Sequence, residues 1–350
     1  MASLGSWLLA PGSRLLHYSL MLRYAVRRLL AAVPIVVLVL TVTFAGLHLA
    51  PGDPVRLYLG PSADAAAAAS LRHAWGLDRP VAVQYVGWLA GFARGDWGIS
   101  LAQRRPVTRV LTDALGPTLL LTGASLVLSY LFGVLVGAVQ AVRRRTGLDT
   151  ALTAATTVAQ ALPSYVVGLG LILVFAYGAT LWGWPPALRL PAMGAESVGA
   201  DFLAPGARAA DRLRHLLLPV ATLALIGAAG VARFARASIA GALRQPFVAA
   251  ARARGLSEPR IALRHGLRNA LLPLVTLLGL QLPALFSGVV FVETIFAWPG
   301  MGHVVVQAVL ARDYPVVMAA TAVFALLVVA GNLLADLLAA VVDPRVEAAA

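Results

Sequence analysis

The chain contains no cysteine and no lysine, and charged residues make up only 12% of its 350 positions. Without cysteine there is no disulfide framework, no thiolate metal site and no cysteine nucleophile. Without lysine there is no glycine-rich phosphate loop ending in Gly-Lys-Ser/Thr, so any nucleotide hydrolysis of that kind has to come from another polypeptide. The scarcity of charge, with 60% apolar residues and a mean hydropathy of +0.83, excludes a soluble globule. All 28 basic residues are arginine, and against 15 acids they leave a net charge of +13. A nucleic-acid binder would share that charge but not that hydropathy. The six histidines (His17, His48, His73, His215, His265, His303) are scattered without ligand spacing, which argues against a metal site. No Ser, His and acid constellation points to a catalytic centre.

What remains is an all-α integral membrane protein. A charge at the centre of a membrane helix costs about 2.5–3.5 kcal/mol, so spans read as stretches free of Asp, Glu and Arg. Six candidates fall near 29–50, 117–142, 151–178, 215–233, 270–292 and 315–342, the fourth ending at Arg233 and the sixth carrying Asp336 in its last third. Each is long enough for a hydrocarbon core of about 30 Å. Orientation follows from arginine in the short flanking segments. With both termini in the cytoplasm, the inside holds 16 Arg against four acids and the outside 12 Arg against nine. The charge therefore reports topology rather than a polyanionic ligand. Residues 1–28 form a cytoplasmic N-terminal segment, in which 1–20 precede Met21-Leu22-Arg23-Tyr24 as a start-site extension. The first span is too long for a signal-peptide core and reads as an uncleaved helix.

Two external segments, 51–113 and 179–214, are substantial. The first carries an Ala-rich helix after Ser62 and Asp64, and a second helix with Val83, Val86, Leu89 and Ala90 at helical spacing. A scaffold or docking role is expected for it, with direct ligand contact as the alternative. The internal loop 234–269 is basic and ordered. Pro246 suits the first position of a helix, Gly255 suits its left-handed end, and Ser257 with Glu258 starts a second helix. Such a helix–turn–helix is either an arginine anchor for lipid phosphate or a rigid insert through which a cytosolic motor moves the spans.

The residues of this loop, Phe247-Val248-Ala249-Ala250-Ala251-Arg252-Ala253-Arg254-Gly255-Leu256-Ser257 and then Arg264-His265-Gly266-Leu267-Arg268-Asn269-Ala270-Leu271-Leu272-Pro273, resemble the EAA loop of binding-protein-dependent ABC importer permeases. The likeness is to their peptide and nickel branch. Also similar are Pro51-Gly52-Asp53-Pro54, Gly76-Leu77-Asp78-Arg79-Pro80, Gly95-Asp96-Trp97-Gly98, Glu293-Thr294-Ile295-Phe296-Ala297-Trp298-Pro299-Gly300, Ala311-Arg312-Asp313-Tyr314-Pro315 and Asp343-Pro344-Arg345. One departure is Ala249, which stands where the loop's eponymous glutamate would be.

The resemblance implies a type I importer permease fold with six transmembrane helices and cytoplasmic termini, in a bacterial inner or plasma membrane. It implies that Phe247, Ala250, Ala251, Arg254, Gly255, Ser257 and Glu258 meet a cytosolic ATPase. It implies a non-catalytic subunit without a cofactor of its own, paired with a second permease. Its other partners would be one or two kinds of ATPase subunit, which bind ATP and magnesium, and an extracytoplasmic solute-binding protein. Di- or oligopeptides are the leading cargo, with nickel chelates, sugars or other small solutes behind them. An ion-coupled secondary transporter is the alternative, disfavoured by the lack of mid-span charge.

Pro163, Ser164, Tyr165 and Gln281 (with Pro283) are candidates for lining the translocation path, because proline frees backbone groups that a cavity or neighbour must satisfy. Glu293, Trp298, Pro299 and Gly300 are candidates for an outer gate or a binding-protein contact, with plain interfacial solvation of Glu293 as the competing reading. Asp336 is expected near the cytoplasmic face, satisfied by water or a neighbouring arginine.

Overall fold

The computed structural model describes residues 11–49, 53–60 and 64–342. The first ten residues, Pro51-Gly52, Ser62 and Asp343-Pro344-Arg345 lie outside the described residues, as do the side chains of His265 and Pro283. Apart from one antiparallel bridge between Ile99 and Pro106, the described residues are helical or irregular. In chain order the helices are α1 (Pro11–Leu49), α2 (Pro54–Leu59), α3 (Ala65–Ala74), α4 (Val81–Ala93), α5 (Val107–Val142), α6 (Gly147–Ala161), α7 (Ser164–Ile172), α8 (Ala179–Leu181), α9 (Pro205–Ala242), α10 (Pro246–Ala253), α11 (Glu258–Ile261), α12 (Leu267–Ile295), α13 (Met301–Leu310) and α14 (Tyr314–Val342). A π-helical stretch, Leu173–Gly178, joins α7 to α8, and another, Ala262–Gly266, joins α11 to α12.

Among the described residues, five segments are long and apolar enough to cross a membrane: Ala25–Leu49, Val107–Val142, Ser164–Leu181, Pro205–Ala242 and Tyr314–Ala339. The sixth expected crossing, 270–292, falls within α12, which is 29 residues long. The stretch 151–178 is not one helix. Leu162 is extended (ψ 130°) ahead of Pro163, so α6 stops and α7 starts afresh at Ser164. The proline ring disfavours the α conformation in the residue before it.

Helix α5 and helix α9 form the axis of the bundle, and they run parallel. Ser129 faces Gly227, Gly133 faces Val231, and Gly137 faces Ala232 and Ala235. Ser125, Ser129, Gly133 and Gly137 recur every fourth residue and are buried. They form the small-residue seam that lets helices approach closely where lipid removes the hydrophobic drive for association. A Cβ on Gly133 would lie 2.5 Å from the Val231 Cβ, and one on Gly137 would lie 2.6 Å from the Ala232 carbonyl oxygen.

Helix α12 runs antiparallel to both, with Tyr130 Oη donating to the Leu274 carbonyl (3.1 Å) near one end and Thr118 meeting Glu293 near the other. Buried clusters sit at each level. Ala138, Ile239, Ala262 and Leu274 pack at the arginine-rich end, Leu121, Leu218, Val289 and Phe296 between, and Val107, Leu111, Met301 and Val316 at the opposite end. Helix α1 lies against α14 and leaves Leu30, Ile35, Leu38 and Val42 more than 60% exposed, an apolar flank that only lipid or another chain can cover.

Candidate functional site

The loop between α9 and α12 folds as a hairpin of two short helices. Pro246 opens α10 after an extended Gln245. Gly255 ends it at φ +76°, with its N–H on the Arg252 carbonyl (2.8 Å) and the Leu256 N–H on the Ala251 carbonyl (3.3 Å). This is a Schellman termination, which needs a left-handed residue at the position of Gly255. Val248, Ala251 and Ile261 are buried against one another under Leu243 and Leu256, so the hairpin has its own small core. Arg252 closes the turn with two bonds to Glu258, at 2.5 Å and 3.1 Å. The bonds to Arg252 hold the Glu258 carboxyl below its usual range.

The face of α10 therefore differs from a simple reading of its spacing. Ala251 turns inward with Val248, whereas Phe247, Ala250, Arg254, Ser257 and Glu258 stay exposed. Behind the hairpin lies a pocket of about 570 Å³ lined by Arg144, Arg244, Gln245, Ala249, Arg252 and Glu258.

The four candidate path residues do not converge. Gln281 sits in the middle of the bundle, where its Nε2 donates to the Gly227 carbonyl (3.4 Å) and its Oε1 has no partner. A Cβ on Gly230 would lie 3.3 Å from the Gln281 Nε2 and 3.9 Å from the Gln160 Nε2, so α6, α9 and α12 bring two amides together there. Tyr165 is 46% exposed, with its ring 6.5 Å from that of Phe291, further along α12. Pro163 and Ser164 act locally, in the break that starts α7.

Glu293, Trp298, Pro299 and Gly300 do come together, in a closed knot. Glu293 is fully buried, which overturns interfacial solvation. Its Oε1 accepts from the Thr118 hydroxyl (2.6 Å), and its Oε2 accepts from the backbone N–H groups of Gly302 (2.6 Å) and His303 (3.2 Å). The carboxylate thus caps the N-terminus of α13 from the end of α12, where unpaired N–H groups and the helix dipole favour negative charge. Thr118 in turn accepts from the Met301 N–H (2.8 Å), and the Trp298 indole donates to the Pro117 carbonyl (3.0 Å). Gly300 is required by contact rather than by its dihedral, since a Cβ there would overlap the Glu293 carboxylate at 2.0 Å. Asp313 makes a second buried tie, capping α14 while accepting from Ser100 and from the Ala102 N–H (3.1 Å). Asp336 pairs with Arg28 at 3.1 Å across α14 and α1, with Arg28 half exposed.

Residues 129–348 match the family of binding-protein-dependent transport system inner membrane components, and residues 21–122 match the N-terminal part of such membrane components. The chain belongs to this family. It is 38% identical over 328 residues to the oligopeptide transport system permease protein AppB of Bacillus subtilis (strain 168), covering 93% of this chain and 100% of that protein. It is 37% identical over 327 residues to the glutathione transport system permease protein GsiC of Escherichia coli (strain K12), covering 93% and 99%. An inward-facing structure of the MetNI methionine ABC transporter aligns with 68% of this chain and 98% of its own at 17% identity and a TM-score of 0.49.

This multi-pass inner-membrane permease contains one polar centre that sequence reasoning missed. Asp149, 4% exposed, accepts from Arg236 Nη2 (2.8 Å) and the Arg145 N–H (3.0 Å). Thr153 links it onward to the buried Gln140, whose Nε2 donates to the Thr153 hydroxyl at 3.1 Å. The hydrogen bond from Arg236 holds the Asp149 carboxyl below its usual range, against the effect of burial. Three helices, α5, α6 and α9, are tied there, close to the start of the hairpin-bearing loop. The sequence signal was an acid within six residues of three arginines, which reads equally well as a solvated helix start.

Proposed function

We propose that the chain is one of two permease subunits of an ATP-driven importer with the type I fold, carrying di- or oligopeptides delivered by an extracytoplasmic binding protein. The similarity to permeases named for oligopeptide and glutathione transport supports the cargo class. The observation that carries the mechanism is the α10–Gly255–α11 hairpin. A helix alone is a poor force transmitter, but this one is fixed to α12 through Ile261 and Ala262 and follows α9 after three residues. Phe247, Ala250 and Arg254 remain on its exposed side, free to enter a cleft of an ATPase subunit. Orientation follows the arginine count, with the hairpin and both termini in the cytoplasm. Ala251 then works as packing beneath the contact face, and Gly255, Ser257 and Glu258 hold the turn.

The closed knot of Glu293, Trp298 and Gly300 lies at the opposite end and joins α5, α12 and α13, where an outer gate belongs. The amides of Gln281 and Gln160 lie between these two ends and are the candidate polar point of the path.

The test is Gly255→Pro. Proline cannot adopt φ +76° and has no N–H for the Arg252 carbonyl. The expected result is a protein inserted in the membrane at normal level that neither retains its ATPase on gentle purification nor supports peptide uptake. Uptake at the wild-type rate would remove the hairpin from the mechanism.

A further inference from the structure

A cavity of about 580 Å³ lies apart from these sites, between the last turn of α1, the start of α14 and the segment running from α2 to the Ile99 bridge. Its walls are largely aromatic, with Phe44, Tyr58, Trp75, Trp88 and Tyr314 all contributing. Its charge has one sign, because Arg79 and Arg104 line it and no acid among the described residues does. Neither Arg79 nor Arg104 has an ion-pair partner among the described residues. Arg104 is held at φ 55° with its guanidinium 5.0 Å from the Tyr58 ring centroid, which steers it by cation–π attraction. The Trp88 indole N–H is buried and has no acceptor.

Gln84, His48 and Ser100, by contrast, are already occupied. Gln84 donates to the carbonyls of Leu77 and Arg79 and meets the His48 ring at 3.3 Å. Ser100 is bonded to Asp313, whose oxygens are turned to it and to the N–H groups of Ala102 and Val316. The donors left over among the described residues are the exposed guanidiniums of Arg79 and Arg104, the hydroxyls of Tyr58 and Tyr314, and the indole N–H groups of Trp75 and Trp88, carried on otherwise apolar walls.

We infer that this cavity is a binding site for an organic carboxylate with an apolar body. A carboxylate matches the fork of arginine donors and gains a charge-assisted bond, whereas the aromatic walls give nothing to a bare inorganic anion. The volume suits a blocked amino acid, the C-terminal end of a short peptide, or part of a fatty acid chain. The first two arrive from water and the last from the bilayer, and the same groups recognise either.

The experiment uses the assembled importer in nanodiscs and follows tryptophan fluorescence, since Trp75 and Trp88 are in the wall. N-acetyl-L-phenylalanine is the water-borne probe and 9,10-dibromostearate, a quencher, the bilayer-borne one. A saturable change with either supports the site and identifies the source. N-acetyl-L-phenylalaninamide, which lacks the charge, is expected to bind at least tenfold more weakly than the acid. The double variant Arg79→Gln with Arg104→Gln is expected to lose at least tenfold for whichever probe binds.

Gly87→Leu guards against a folding artefact. Gly87 lines the cavity, a Cβ there meets nothing within 4 Å, and leucine is the better helix former within α4. Gly87→Leu should keep the complex assembled with an unchanged melting temperature and abolish the signal. The proposal is overturned by no saturable change with either probe, by equal binding of acid and amide, or by Gly87→Leu or the arginine variant binding as wild type. Binding rather than uptake is read, so failure here leaves the importer reading untouched.

Discussion

Alanine at position 300 tests the knot at the end of α12. The backbone there is ordinary, with φ −98° for Gly300, so alanine adds no conformational strain. Its methyl, however, would stand 2.0 Å from Glu293 Oε1 and 2.2 Å from the carboxyl carbon. The carboxylate has to leave, and with it go the bonds to Thr118, Gly302 and His303. Each buried donor left without an acceptor costs about 1–3 kcal/mol, so losing all three gives an upper bound of about 9 kcal/mol. Partial relaxation brings the expected loss to about 3–5 kcal/mol. Glu293→Ala removes the same three bonds from the other partner and should cost a similar amount. The two defects share one cause, so they should not add. Once Glu293 is replaced by alanine, the methyl introduced by Gly300→Ala occupies vacated space, and the second substitution should cost less than about 1 kcal/mol. The assay is a double-mutant cycle on the purified complex, with thermal unfolding for stability and hydrogen exchange of the peptide spanning 298–306 for location. Faster exchange in that peptide is expected in all three variants to the same extent. Additive losses, or a Gly300→Ala variant as stable as wild type, would refute the carboxylate cap.

Gly137→Leu should separate α5 from α9, because even a Cβ meets the Ala232 carbonyl at 2.6 Å. Overpacking of this kind costs about 1–3 kcal/mol, read as a lower melting temperature of the complex, and an unchanged melt would argue against the seam. Asp149→Asn should cost roughly 1–2 kcal/mol, discounted because Arg236 is about a third exposed. Its signature is faster hydrogen exchange in both 146–153 and 233–242, and exchange confined to one helix would deny the tie. Hydrogen bonding from Arg208 holds the Glu196 carboxyl below its ordinary value of 4.5. That contribution is complete above about pH 4.5 and is lost as pH falls through the depressed folded value. Protection factors at 194–204, exchange rates corrected for their intrinsic pH dependence, should therefore be flat from about pH 5 to 8 and fall only in stronger acid, and a fall near neutrality would sink the assignment.

The hairpin was legible in the sequence because its signals are local. Proline at the start, glycine at a left-handed end and an acid in the next first turn each act within one or two residues, and depend on nothing further away. Which side of α10 would be buried was not legible, since Val248 is apolar in either reading and only Ile261, brought back by the turn, decides it. Glu293 read as a boundary residue because hydropathy measures position along the membrane normal and not what a side chain touches. Its partner Thr118 lies 175 residues away in the chain, and His303 lies across a turn. Asp149 and Arg236 were missed for the same reason, being 87 residues apart. The break of the third helix was partly within reach, because Pro163 disfavours a helical Leu162, although Pro34, Pro117 and Pro219 stay inside their helices. It was obscured by an apolar run that continued on both sides.

The seam of Ser125, Ser129, Gly133 and Gly137 has a mechanical consequence. Helices packed through long side chains can roll over one another by exchanging rotamers, but a seam with no long side chains on one side has nothing to exchange. For α5 to rotate against α9, Val231 would have to climb out of the notch at Gly133, so the pair travels as a single spar. One end of that spar leads into the hairpin three residues after Ala242, and the other carries Pro117 and Thr118, the anchors of the Glu293 knot. A displacement imposed at one end therefore travels along the seam to the other as a displacement of the same sense, with Pro219 the one proline of α9 that it has to pass.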